Sequence, residues 1–210
     1  MRFGFLMYPG YEELDMIGPW EIATMWKTYA AGPECVTVAQ SRDPMRCAKG
    51  LLTAADYTYE DAGKLDYLLV PGGFAAFEEM KNEQTIAFIR ACATEAKAVL
   101  SVCSGTFILL AAGLLEGVEA TTNWKVIDKL REAGVTVIEE RYVRDGRIWS
   151  SGGVSAGIDM TLALVAHEAG AEAAWITQYQ AEYLPEGKLY GSLTTWQGAP
   201  AYARRLRQED

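Results

Sequence analysis

The chain has 210 residues, half of them apolar and 22% charged, which supplies a sizeable core and is too apolar for intrinsic disorder. Nineteen Lys and Arg against 28 Asp and Glu leave a net charge of −9 with no basic run, so no footprint for nucleic acid is present. Four cysteines without a CxxC pair argue against a disulfide-stapled secreted domain, and no apolar run reaches the roughly 18 residues a membrane span needs, so a reducing cytoplasm is the expected compartment.

Short apolar runs at 2–8, 35–40, 65–70, 97–102 and 135–139 read as strands, and their near-continuous apolarity suggests burial on both faces, the habit of parallel strands. Segments 19–30, 83–96, 104–115 and 122–134 carry apolar residues at helical spacing. Alternating strands and helices predict an α/β fold, a mostly parallel central sheet with helices on both faces. Two antiparallel departures are expected, one over 48–57 and one over 140–152 with a turn at Asp145-Gly146. No repeat or Pro/Ser-rich linker interrupts the chain, so residues 1–210 are expected to form a single domain ending in a loop from Glu182 to Gly198 and a short polar helix or tail.

In such sheets chemistry sits in the loops at the carboxyl ends of strands, and three stand out: 8–15, 70–77 and 101–107. Cys103 ends a strand and is followed at once by Ser104-Gly105 and an apolar helix, the arrangement of a nucleophile elbow. A helix N-terminus there should pull the thiol below its free pKa of about 8.5. A small buried hydrophobe is the competing reading of Cys103, and the residues alone leave both open; Cys35, Cys47 and Cys92 read as structural. Gly72-Gly73 could aim N–H groups at developing negative charge or simply make a turn. Asp15, set among Leu14, Met16 and Ile17, is either a carboxylate with a raised pKa or the cap of the helix beginning at Pro19, whereas Glu12 and Glu13 read as solvated. The Gly-rich stretch 150–157 reads as packing. The one histidine, His167, lies late in a helix and reads as structural, which rules out a histidine-built zinc site.

At these residues the chain resembles the ThiJ/PfpI superfamily, and within it the isonitrile (isocyanide) hydratases, through GFLMYPGYEELDMIGPWEI, VPGGFAAFEEM, FIRACATEAKAVLSVCSGTFILLAAGLLEGVEATTNW and SGGVSAGIDMTLALV in order. The resemblance implies a flavodoxin-like three-layer sandwich, Cys103 as nucleophile, Asp15 as general acid/base, no cofactor or metal, a small-molecule substrate and a homodimer without nucleic-acid or membrane partners. On that reading Gly72, Gly73 and Ser104 supply backbone stabilisation of charge, and Phe74 and Trp124 line the pocket. The superfamily's proteases carry His after the cysteine where this chain has Ser104, and its deglycases carry Glu where it has Asp15. The hydratases commonly have Thr and His where Ser104 and Asn123 stand. A cysteine-based redox protein, a glyoxalase- or deglycase-like enzyme and a ligand-binding regulatory module are the alternatives.

Overall fold

The computed structural model describes residues 1–185 and Tyr202. In chain order the elements are β1 (Arg2–Leu6), α1 (Glu13–Ala30), β2 (Glu34–Ala39), β3 (Met45–Arg46), β4 (Leu52–Thr53), β5 (Tyr57–Thr58), β6 (Tyr67–Val70), α2 (Ala76–Glu79), α3 (Glu83–Glu95), β7 (Ala98–Val102) and α4 (Gly105–Ala111). They continue as β8 (Glu119–Ala120), a 3₁₀ turn (Trp124–Val126), α5 (Ile127–Glu132), β9 (Thr136–Val137), β10 (Tyr142–Asp145), β11 (Ile148–Ser151), α6 (Ala156–Ala169) and α7 (Ala171–Gln180).

The central sheet has seven strands in the order β10-β11-β7-β6-β1-β2-β5, all parallel except β10. Its five main strands, β2-β1-β6-β7-β11, follow the doubly wound 2-1-3-4-5 order of a flavodoxin-like sheet. From β1 the chain moves one way to β2, while from β6 it moves the other way to β7 and β11. Right-handed crossovers therefore send α1 to one face and α3 and α4 to the other. The contacts agree: α1, α6 and α7 pack together, and α4 packs with α2 and α3. Every residue of β6, β7 and β11 is buried, as expected of strands covered on both faces.

The register decides where chemistry can gather. Val70 pairs with Ser101 and Ser151 with Val102, so β6, β7 and β11 end level, and Gly72, Cys103 and Gly152 leave the sheet side by side. The β1–β6 boundary, where strand order reverses, lies next to them.

Local expectations fail where tertiary contacts take over. Helix α1 begins at Glu13, not at Pro19, which lies inside it; Asp15 is thus a helical residue and not a cap. The 135–139 run contributes only Thr136–Val137, paired with β8 in a separate ribbon, and the place in the main sheet goes to β11 of the Asp145-Gly146 hairpin. The helix expected over 122–134 is split between the 3₁₀ turn and α5. Around 48–57 the antiparallel pair is β3 with β4, while β5 joins β2 in parallel. The expected loop and tail beyond residue 185 lie outside the described residues, Tyr202 excepted. Among the described residues no helix is long and apolar enough to cross a membrane.

Candidate active site

Cys103 has φ +57°, a left-handed conformation that is uncommon for any residue with a Cβ. Hydrogen bonds hold it there from both sides. Its N–H is shared between the carbonyls of Ser151 and Gly152, each at 3.1 Å, and its own carbonyl accepts from Thr122 Oγ1 at 2.7 Å and Thr106 Oγ1 at 3.2 Å. The elbow is pressed against the β6 loop so closely that only glycine fits at two points. A Cβ on Gly72 would lie 2.5 Å from Ser104 N, and one on Gly105 would lie 2.4 Å from the Val70 carbonyl oxygen.

The three loops are laced together. Tyr8 Oη donates to the carbonyls of Pro71 (2.8 Å) and Gly72 (2.9 Å), and Glu12 N–H donates to the Gly72 carbonyl at 2.9 Å. Gly72 N–H donates to Asp15 Oδ2 at 2.9 Å. Ser104 Oγ accepts from Gly73 N–H at 3.0 Å, donates to the Gly73 carbonyl at 2.7 Å, and lies 4.0 Å from Cys103 Sγ. The N–H groups of Gly72 and Gly73 are therefore committed, one to Asp15 and one to Ser104. That corrects the expectation that the Gly73 N–H is available to a reacting centre.

Asp15 is 0% exposed, and among the described residues its buried Oδ1 has no hydrogen-bond partner. Burial is the largest influence and raises its pKa from 3.8 to about 7; the Glu12 charge adds to this, while Gly72 N–H, Val154 N–H and the Cys103 side chain pull it down. Cys103 is 8% exposed and borders a cavity. Its thiol moves opposite to the expectation from the helix end. Burial first, then the Asp15 charge, push it up to about 11, against weaker stabilisation of the thiolate by Ser104 N–H, Ser104 Oγ and the Asn123 side chain. Helix α4 is a single short segment, and one N–H at its start does not offset the loss of water around sulfur. The resting pair at neutral pH is a protonated thiol beside a carboxyl group poised to give or take a proton.

The cavity of about 330 Å³ beside Cys103 is lined by Gly73, Phe74, Phe77, Ser104, Asn123 and Val126, by the half-buried Glu12 and Val154, and by the exposed Lys49 and Lys125. Phe74 is among these residues and is 89% exposed. Trp124 is not; its ring lies under Lys125 Nζ at 5.5 Å, and Phe77 and Val126 supply the apolar wall in its place. Glu12 and Glu13 also differ from the solvated reading, for they clamp the turn after β3: Glu12 binds Lys49 Nζ at 2.6 Å and Glu13 accepts from Lys49 N–H at 2.7 Å.

The 150–157 stretch, read as packing, forms one side of the site. Val154 has φ +50°, a costly conformation for a β-branched residue, and directs its N–H at Asp15. Asn123 is within contact of Gly153, where a Cβ would meet its Nδ2 at 2.3 Å. Tyr202 brings its hydroxyl to 3.0 Å from where a Cβ on Gly152 would sit, and burial followed by the Cys103 charge raises its phenol pKa. Sequence periodicity carried no signal for these three; the glycine pair 152–153 before a helix was the available clue. His167 packs on Trp149 and Arg144 in the last turn of α6, at the helix end opposite Val154. Among the described residues no group of three or more His, Cys, Asp or Glu side chains is placed to hold a metal ion.

The pattern of the DJ-1/PfpI family matches residues 1–167. The isonitrile hydratase of Pseudomonas putida is 38% identical over 187 residues, covering 88% of this chain and 79% of its own. A deglycase of Pyrococcus horikoshii is 28% identical over 160 residues, covering 75% of this chain and 93% of its own. Among solved structures, a ThiJ/PfpI family protein from Pseudomonas syringae superposes with a TM-score of 0.85 at 32% identity, over 97% of this chain and 83% of that one.

Proposed function

The chain belongs to the DJ-1/PfpI family, and from that premise we propose that it is a lyase of the isonitrile hydratase type, adding water to R–NC to give an N-substituted formamide. The observation that carries the reading is the Cys103–Asp15 pair. A buried carboxyl group with a pKa of about 7 adjoins a thiol that is itself protonated at neutral pH and opens on a partly apolar cavity.

An isonitrile carbon accepts a soft sulfur nucleophile and becomes carbanion-like as the bond forms, so attack and protonation must be closely coupled. The Asp15 carboxylate takes the Cys103 proton, the sulfur bonds to the terminal carbon, and Asp15 returns the proton to that carbon. The product is the thioimidate R–N=CH–S–Cys103. Asp15 takes a proton from water as its oxygen adds to the same carbon and passes that proton to the nitrogen; collapse of the adduct expels the thiolate, and the adduct's hydroxyl proton returns to sulfur through Asp15. The sum is R–NC plus H₂O giving R–NH–CHO, with thiol and carboxyl restored and no cofactor called on. Gly72 N–H holds the Asp15 anion, Gly73 holds Ser104, and Ser104 N–H faces the sulfur. Phe74, Phe77 and Val126 offer an apolar wall to the R group.

The whole chain is proposed to act as one domain in a homodimer in the reducing cytoplasm, which analytical ultracentrifugation and cell fractionation would check. A peroxide-sensing role suits this thiol less, since the thiolate is the oxidisable form and burial disfavours it. Incubation with isonitriles, with formamide followed by mass spectrometry, tests the reading: Cys103→Ala should give no product, and Asp15→Asn should still accept thiol reagents yet give none. Formamide from Cys103→Ala, or lactate from methylglyoxal in place of formamide from any isonitrile, would overturn it.

A further inference from the structure

The protein carries a net charge of −9, yet the rim of the Cys103 cavity is cationic. Lys49 and Lys125 border it, and Lys129 sits with its ammonium 5.4 Å from the ring centre of Phe77, a wall residue. Lys125 is likewise placed 5.5 Å from the ring centre of Trp124. The Phe77 contact places the Lys129 ammonium beside the wall, while Lys125 borders the cavity itself. Among the described residues that border the cavity Glu12 is the only carboxylate, and Lys49 neutralises it at 2.6 Å. Asp128, which lies between them along the chain, is bound by Arg131 at 2.8 Å, so among the described residues Lys125 and Lys129 keep uncompensated charges beside the apolar wall of Phe74, Phe77 and Val126. In an acidic protein this is a local inversion of sign, and a charged opening selects and steers ligands of the opposite sign.

We infer that the substrate of this site is an anion: an apolar arm bearing a carboxylate at the end remote from the carbon that meets Cys103. Lys125 and Lys129 receive the carboxylate at the rim, while the reacting group descends between Phe74, Phe77 and Val126 to the thiol. As to the reacting group, the inference rests on the hydratase reading, which makes the substrate an isonitrile carboxylate; the sign of its charge rests on the rim alone.

Two measurements separate these. In the first, Cys103 is alkylated with iodoacetate and with iodoacetamide, reagents that differ chiefly by the carboxylate, and the rate at the Cys103 peptide is followed by mass spectrometry. The iodoacetate-to-iodoacetamide ratio should fall about tenfold in a Lys125→Gln, Lys129→Gln double variant at low ionic strength. In the unaltered protein it should fall as salt is raised from about 20 mM to about 500 mM, which shortens the screening length several-fold. An unchanged ratio, or no reaction of Cys103 with either reagent, overturns the inference. In the second, cyclohexyl isonitrile is compared with its 4-carboxylate analogue. The expected result is a higher kcat/KM for the acid and a drop in the acid-to-neutral ratio in the double variant; preference for the neutral compound with no response to the lysines overturns the inference. If neither isonitrile is hydrated while the alkylation ratio responds, the hydratase reading fails and the anionic substrate stands.

Discussion

Replacing Asp15 by Asn removes a charge and little else. Asn keeps the shape, and its side-chain oxygen can still accept the Gly72 N–H that now reaches Oδ2 at 2.9 Å. In the folded protein the Asp15 pKa is about 7 against 3.8 for the free side chain, a rise of about 3 units. At 1.36 kcal/mol per unit, that corresponds to about 4 kcal/mol of coupling between its ionisation and folding. The sign follows from burial. Because the folded state holds the proton more tightly, its advantage is complete below about pH 4 and is lost as the pH rises through about 7. Urea unfolding of both proteins from pH 4.5 to 8.5 measures this, and subtracting one curve from the other cancels the remaining titrating groups. The unaltered protein should lose stability relative to Asp15→Asn at up to about 1.4 kcal/mol per pH unit, levelling off above pH 7. From pH 4.5 to 8.5 the swing is about 3 kcal/mol, which equals roughly 6–12 °C in relative Tm for a chain of this size. A difference that stays flat within about 1 kcal/mol across that range would refute a desolvated carboxyl group at residue 15, and with it the proton transfer assigned to it.

Other outcomes follow from the same geometry. The alkylation rate of Cys103 by iodoacetamide should keep climbing toward a midpoint of about 11, and Asp15→Asn should move that midpoint down because the neighbouring negative charge is gone; stopped-flow or quench data from pH 7 to 11.5 decide it, and a midpoint below 8.5 contradicts the burial argument. Thr122→Val removes the 2.7 Å hydrogen bond to the Cys103 carbonyl and should cost about 1–2 kcal/mol in urea unfolding and slow alkylation, with Thr122→Ser restoring both. Gly72→Ala drives a Cβ to 2.5 Å from Ser104 N and should cost about 3 kcal/mol or more, whereas Gly113→Ala, at φ +74° with nothing within 4 Å, should cost only about 1 kcal/mol of backbone strain. Equal thermal shifts for the two alanines would remove the case for close loop packing.

The parallel sheet was legible because buried strands write an unbroken apolar run, and the elbow because a strand ending at Cys103 meets Gly105 and an apolar helix. Asp15 stood out for its apolar neighbours alone. The short run at 135–139 misled for the same reason: only Val135 of it is buried, and local apolarity does not say which sheet a strand will join. Asn123 and Val154 gave no periodic signal, since each contributes one group aimed at a point in space, not a face of an element.

What the chain by itself determined is therefore everything carried by neighbours along the backbone: the strand–helix alternation, the turn after β7, and a thiol and a carboxylate each placed just beyond the carboxyl end of a strand. Whether that thiol rests as an anion was decided elsewhere. A helix start nearby favours the thiolate, but the ionisation of sulfur depends on how much water is excluded around it and on which charge lies beside it. Those are set by Asp15 in α1, Ser104 after β7, Asn123 before the 3₁₀ turn and Val154 after β11, four segments far apart in the chain. Solvent exclusion sums over atoms from the whole fold, and no local stretch of sequence contains that sum.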